Sequence, residues 1–176
     1  MEYKRIIFQK EAITKYYMIL SNETILFELS FISDYWKDPP GLEIYIDNVQ
    51  KFQGLVVDQS TVIKFAHELA FGDHILQMRR TGKTNNQIRK NEYGEVESQD
   101  LKIDYIKIDG VNIRNMIWTN SYYVPEYPEP WASQQRALGI EIESQVPGET
   151  WFGHNGVWNL KFTSPFYRFL MDWMGQ

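Results

Sequence analysis

Through the first 110 residues, apolar and polar side chains alternate with a period of two. Ile25, Phe27, Leu29 and Phe31 are interleaved with Leu26, Glu28 and Ser30; Leu42, Ile44 and Ile46 with Glu43 and Tyr45; Ile63 and Phe65 with Lys64 and Ala66. A strand sends successive side chains to opposite faces, so this pattern predicts half-buried strands. Turn residues punctuate them: Pro39-Pro40-Gly41, Asp47-Asn48, Gly72-Asp73, and Asp109-Gly110 between Ile108 and Val111, where a type I′ hairpin is expected. Adding Lys4–Phe8 and Tyr16–Leu20 gives about nine or ten short strands, the count of a sandwich or barrel. One strand changes phase: Leu101, Ile103 and Tyr105 are odd-numbered, Ile106 and Ile108 even. A one-residue slip reverses the facing of every side chain, so a bulge or sharp bend is expected near Asp104 and Tyr105.

The last third reads differently. GVWNLKF places Trp158, Leu160 and Phe162 on one face of a final strand. Ser164-Pro165 then offers an N-cap followed by proline at the first helical position, predicting a helix over about Pro165 to Met174. That helix is apolar nearly all round, with only Arg168 and Asp172 as a polar stripe. It is expected either to be wedged into the fold or to dock on another subunit. No repeat, low-complexity tract or linker divides the chain, and residues 1–176 are read as a single domain.

Composition narrows the function classes. A chain of 176 residues with 43% hydrophobic and 23% charged residues can bury a full core without staples. A net charge of −5 with no basic stripe argues against a partner held by its phosphates, so no nucleic acid is expected. The absence of cysteine removes thiol catalysis, thiolate metal sites and disulfides. No run approaches the roughly 20 apolar residues of a membrane span. The opening MEYKRIIFQKEAITKYY has no signal-peptide core, which sets the expectation of a protein made and folded in a cytoplasm.

Catalytic signatures are scarce. Gly82-Lys83-Thr84 lacks the upstream glycine of a P-loop. The histidines His67, His74 and His154 have no ligand spacing; His74 shares parity with Leu76 and Met78 and reads as a residue closing the edge of the core. His154, in TWFGHNG, has Glu149 near in sequence, the one pair that suggests acid-base chemistry and a hydrolase. The polar stretch from Thr81 to Asp100 contains Asn85, Asn86, Asn91, Glu92, Glu95, Glu97 and Asp100, oxygen ligands that hard cations prefer; it is read either as a calcium site or as a solvated hairpin loop. The segment WTNSYYVPEYPEPWASQQ, residues 118–135, sets five aromatic rings among three prolines, a composition that suits neither a regular helix nor a regular strand. Trp118 follows Met116-Ile117 and is expected in the core. For Tyr122, Tyr123, Tyr127 and Trp131 three roles stand open: a strap across the sandwich, a subunit or particle interface, or a platform on which sugar rings stack.

The run LEIYIDN, GDHILQMRR, the polar loop and QDLKIDYIKIDGVNI, about residues 42–113, resembles the small calcium-dependent, xylan-binding type of carbohydrate-binding module. The resemblance implies a jelly-roll β-sandwich and calcium as cofactor. It implies Asp100 as the chief ligand, with Asn85 or Asn86 as the loop amide; if the loop binds calcium, Glu97 is expected to complete the oxygen shell. The remaining residues, 114–176, with IWTNSYYVPEYPEPWASQQ and GETWFGHNGVWNLKFTSPFYRFL, resemble small proteins of tailed bacteriophages in which such a module is joined to an aromatic tail. That implies association with a virion. The expectation is therefore an all-β, jelly-roll-like antiparallel β-sandwich with a short C-terminal helix. It would be non-catalytic, bind a polysaccharide or cell-surface glycan through Tyr122, Tyr123, Tyr127 and Trp131, and be carried on a virion. The alternative is a structural virion protein, a decoration, neck or tail component, that binds protein partners or itself through residues 114–176.

Overall fold

The computed structural model describes residues 22–57 and 59–175; the strands expected at Lys4–Phe8 and Tyr16–Leu20 lie outside them. The strands are β1 (Glu23–Asp34), β2 (Gly41–Ile46), β3 (Val49–Leu55), β4 (Thr61–Leu69), β5 (Gly72–Thr81), β6 (Arg89–Lys90), β7 (Val96–Glu97), β8 (Asp100–Ile108), β9 (Val111–Asn112), β10 (Ser121–Glu126), β11 (Val146–Pro147), β12 (Trp151–Phe152) and β13 (Asn155–Ser164). Among the described residues three short helices, α1 (Arg114–Asn120), α2 (Trp131–Ala137) and α3 (Phe166–Met174), interrupt or follow them.

These strands make an antiparallel sandwich. A five-stranded sheet runs β12-β8-β1-β4, with β9 paired to β8, and a six-stranded sheet runs β11-β10-β13-β5-β2-β3. The chain passes from one sheet to the other at β1–β2, β3–β4, β4–β5, β5–β8 and β8–β10, which is the jelly-roll-like habit. The period-two apolar sets face one another between the sheets: Phe27, Phe31, Leu42, Ile44, Leu76, Leu101, Ile106, Trp158 and Leu160 are fully buried. Phe27 stacks on Phe65 at 5.2 Å and meets Phe162 edge-on at 6.1 Å, joining the two sheets through aromatic contact. Each such side chain contributes roughly 1.5–3 kcal/mol by leaving water.

The phase change in β8 is a bulge. Ser30 pairs with Tyr105 and Phe31 with Ile103, so Asp104 is the unpaired extra residue, and its carboxylate accepts a hydrogen bond from Ser30 Oγ at 3.2 Å. The Asp109-Gly110 turn has positive φ at both residues, 47° and 80°, as does Asp47-Asn48 at 49° and 67°; both are type I′ hairpins matched to the twist of their strands.

Three expectations change. Residues 118–135 fold as the end of α1, then β10, then the start of α2, because short elements accommodate prolines at their ends: Pro125 stands near the end of β10 and Pro130 directly precedes α2. Trp118 is 61% exposed. Residues 114–120 turn with helical period, so Met116 and Ile117 face inward and the next position swings outward. At α3, the Ser164 side chain makes no capping bond; Pro165 is the N-cap residue and the Phe166 amide donates instead to Glu23 Oε1 at 2.7 Å. The helix buries Phe166 completely and half-buries Phe169, Leu170 and Trp173, while Tyr167, Met171 and Met174 stand exposed. Among the described residues, no helix is long and apolar enough to cross a membrane.

Candidate functional site

One end of the sandwich is closed by a polar floor rather than by apolar side chains. On β5 the inward parity Leu76, Met78 continues into Arg80, which is 1% exposed. Its guanidinium donates to Gln99 O (2.7 Å), Gln99 Oε1 (2.8 Å) and Asn155 Oδ1 (2.9 Å), partners that a charge needs when it is removed from water. Burial pulls Arg80 down to about 10, so it remains a cation at neutral pH. Asn155, at the start of β13, also accepts from the Lys83 amide (2.9 Å) and donates to the Lys83 carbonyl (3.0 Å), fixing the chain just past β5.

Over this floor stands a group of three rings. Tyr127 and Trp131 lie 5.4 Å apart, and the His154 ring packs against both, at 5.0 Å and 5.5 Å. Three segments distant in sequence converge here: the chain after β5, the turn between β10 and α2, and the turn between β12 and β13. Gly156 permits the approach. A Cβ there would stand 2.4 Å from Val124 O and 2.7 Å from the Tyr123 hydroxyl, so only glycine lets β13 pass this close to β10. Two of these rings, Trp131 and His154, and the loop at Thr84–Asn85 enclose a cleft of about 200 Å³, with Ile88, Pro128, Asn85, Asn155 and Glu126 also in its walls. The side chains of Glu126 and Asn85 have no hydrogen-bond partner among the described residues. Burial, with the charges of Lys83 and Arg80 nearby, lowers the pKa of His154, so its ring is neutral at pH 7.

The sequence-derived candidates fall in different places. Tyr127 and Trp131 are in the ring group. Tyr123 is buried behind it, stacked on Phe152 at 4.7 Å, with its hydroxyl donating to His154 O at 2.6 Å. Tyr122, one residue earlier, points to the opposite face of β10, near Lys161 Nζ at 5.7 Å. Glu149 does not act with His154: its Oε1 accepts from the Thr150 and Trp151 amides at 2.8 and 2.6 Å.

The four expected calcium ligands do not form a shell. Asn85 lines the cleft and Asn86 is exposed beside it. The Glu97 carboxylate is paired with Arg89 across the β6–β7 hairpin at 2.5 Å. Asp100 faces the Lys83 ammonium, whose Nζ lies 3.4 Å from Oδ1 and 2.5 Å from both Ser98 Oγ and Gly153 O. Among the described residues, no group of three or more acidic, histidine or cysteine side chains is placed to hold a metal. As placed, these four side chains do not fit one calcium ion, and the polar stretch is a hairpin turned by Asn91, whose Oδ1 accepts from the Tyr93 and Glu95 amides.

Two larger hollows are partly filled by their own side chains. One of about 570 Å³ has Trp36 beside the acidic side chains of Asp34, Glu95, Glu97 and Asp100, but Arg89 already covers the Trp36 ring at 4.5 Å and pairs with Glu97. A shallow groove of about 470 Å³ beside His74 has that ring held by Asp47 (2.6 Å) and Ala70 O (2.7 Å) at the core edge.

No protein-family model and no curated protein matches the sequence. Among solved structures the chain is similar in outline to vCBM60, one of the calcium-dependent carbohydrate-binding modules, with a TM-score of 0.49 and 8% identity over 77% of this chain and 89% of the module. A second structure, vCBM60 in complex with galactobiose, gives a TM-score of 0.46 and 9% identity over 78% of this chain and 97% of the module. The similarity is one of β-sandwich outline.

Proposed function

We propose that this protein is a non-catalytic carbohydrate-binding protein that receives a glycan in the cleft beside Trp131. The observation that carries the reading is a partly exposed indole, locked by Tyr127 and His154, next to the unpaired hydrogen-bonding groups of Glu126 and Asn85. A flat ring takes the apolar face of a sugar, and neighbouring acceptors take its hydroxyls. Because the rings are held by one another before any ligand arrives, little side-chain freedom is lost on binding. At about 200 Å³ the cleft is smaller than the roughly 300–1,000 Å³ typical of sites for drug-sized ligands, which suits one sugar ring or a chain end. The cations of the floor, Arg80 and Lys83, are already bonded, leaving Glu126 as the unpaired charge at the wall. The preferred glycan is therefore uncharged, because Glu126 at the wall disfavours a uronate beside it. Weak single sites of this kind gain strength when many copies act together, which agrees with presentation on a virion surface.

A second reading rests on α3. Tyr167, Met171 and Met174 form an exposed apolar face there, suited to a protein partner in a particle. A glycan array separates the two readings. Binding of neutral glycans that is lost in Trp131→Ala supports the cleft; no binding by the wild type, with recovery of the protein in purified particles, supports the interface.

A further inference from the structure

The Lys83 side chain is 11% exposed, and its ammonium is ringed by oxygen: Ser98 Oγ and Gly153 O at 2.5 Å, and Asp100 Oδ1 at 3.4 Å. Three donors meet three acceptors, so the group is saturated. The acceptors come from three places: the end of the polar hairpin, the first residue of β8, and the turn before β13 that carries His154. The Lys83 backbone is meanwhile clamped by the Asn155 amide on both its N–H and its C=O. One residue thus ties two of the segments that border the cleft, the chain after β5 and the turn before β13, to the polar hairpin and to β8.

We infer that the Lys83 ammonium is a built-in cation: it takes the position a bound metal would need at Asp100, and it makes the assembly of the cleft independent of metal. Calcium sits about 2.3–2.6 Å from its oxygen ligands, and Nζ already stands 2.5 Å from two of the three oxygens available. A metal on these oxygens would have to occupy the same point in space, against the full repulsion of a like charge. Burial lowers the Lys83 pKa, while Asp100 opposes that shift, so the pair carries its own neutralisation. This inference does not depend on the glycan reading, since it concerns how the site is held and not what it holds.

The test is thermal unfolding of the full chain, wild type and Lys83→Ala, in chelator, in millimolar calcium and in methylammonium chloride. The wild type is expected to melt at one temperature in all three. Lys83→Ala is expected to melt several degrees lower in chelator and to regain part of the loss when either calcium or methylammonium, which can enter the vacated oxygen ring, is added. If Lys83→Ala does not fold in chelator, recovery of its folding in millimolar calcium or methylammonium chloride is the readout. A wild-type melting point that rises with calcium and falls back with chelator overturns the inference. So does a variant that melts like the wild type, or one that neither cation restores.

Discussion

The Trp131 ring carries the binding reading, and its surroundings fix what its removal should do. It is 37% exposed and lies at the rim, touching Tyr127 and His154 rather than the core. Trp131→Ala should therefore weaken glycan binding by about tenfold or more, equivalent to ~1.4 kcal/mol, while unfolding in urea changes by less than about 1 kcal/mol. His154 adds a pH dependence. Its pKa in the fold is lowered by burial and by Lys83 and Arg80, so the neutral ring is favoured in the folded protein. The corresponding stability is fully present above the unfolded histidine value of about 6.5 and is lost as the pH falls through the lower folded value. Affinity and melting temperature should both decline as the pH is taken from 7.5 towards 5, and His154→Gln should flatten that part of the binding profile. Tyr127 and Trp131 were legible from sequence because aromatic rings among prolines and glutamates cannot all be core. Arg80, Lys83 and Asn155 were not, because a contact across 70 or more positions leaves no local trace. The one available signal was an arginine on the inward parity of β5, where a strand would ordinarily place another apolar residue.

Strands and helices show the same division. The alternation in β1, β2 and β8 and the two type I′ turns were readable because their rules are local, and so was the bulge at Asp104. The capping of α3 was not: the expected Ser164 yields to Glu23, which lies 143 residues from Phe166. Nor was the position of Trp118, because a seven-residue helix between strands is too short to announce its period. On the outer face of the five-stranded sheet, Glu28 of the central strand accepts from Lys64 of β4 and from Lys107 and Tyr105 of β8. The bonds from Lys64, then Lys107, then Tyr105 hold its carboxyl at about 2, far below its ordinary value. The stability this gives is present above the unfolded carboxyl value and lost as the pH falls from about 4.5 through about 2. Glu28→Gln should abolish that part of the acid-unfolding profile, seen as a smaller difference between melting temperatures at pH 5 and pH 3. In α3, Phe166 is fully buried and meets Phe162 edge-on at 6.5 Å. Phe166→Ala should destabilise the fold by about 3–5 kcal/mol, measured by urea unfolding, whereas Met171→Ala on the exposed face should stay within about 0.5 kcal/mol.

The whole molecule explains why the cleft lies where it does. Because β10, β13 and β5 are antiparallel neighbours in the six-stranded sheet, the ends of β5 and β10 and the start of β13 meet at one edge of the sandwich. The apolar core ends there, and the buried Arg80 network seals it and leaves a firm base for the rings above. The stiffness of the sandwich is thereby passed to three turns that would otherwise be mobile, and the aromatic face is presented already formed. The proposed function requires that a sugar occupy that face. The direct measurement is an NMR titration of the indole N–H resonances with neutral oligosaccharides at pH 7.5. A saturable shift at Trp131, absent at the exposed Trp118, which does not line the cleft, and abolished by Glu126→Ala together with Tyr127→Ala in a protein that remains folded, is the result expected. No saturable shift at Trp131 with any neutral glycan, or undiminished binding after Trp131→Ala, would contradict it.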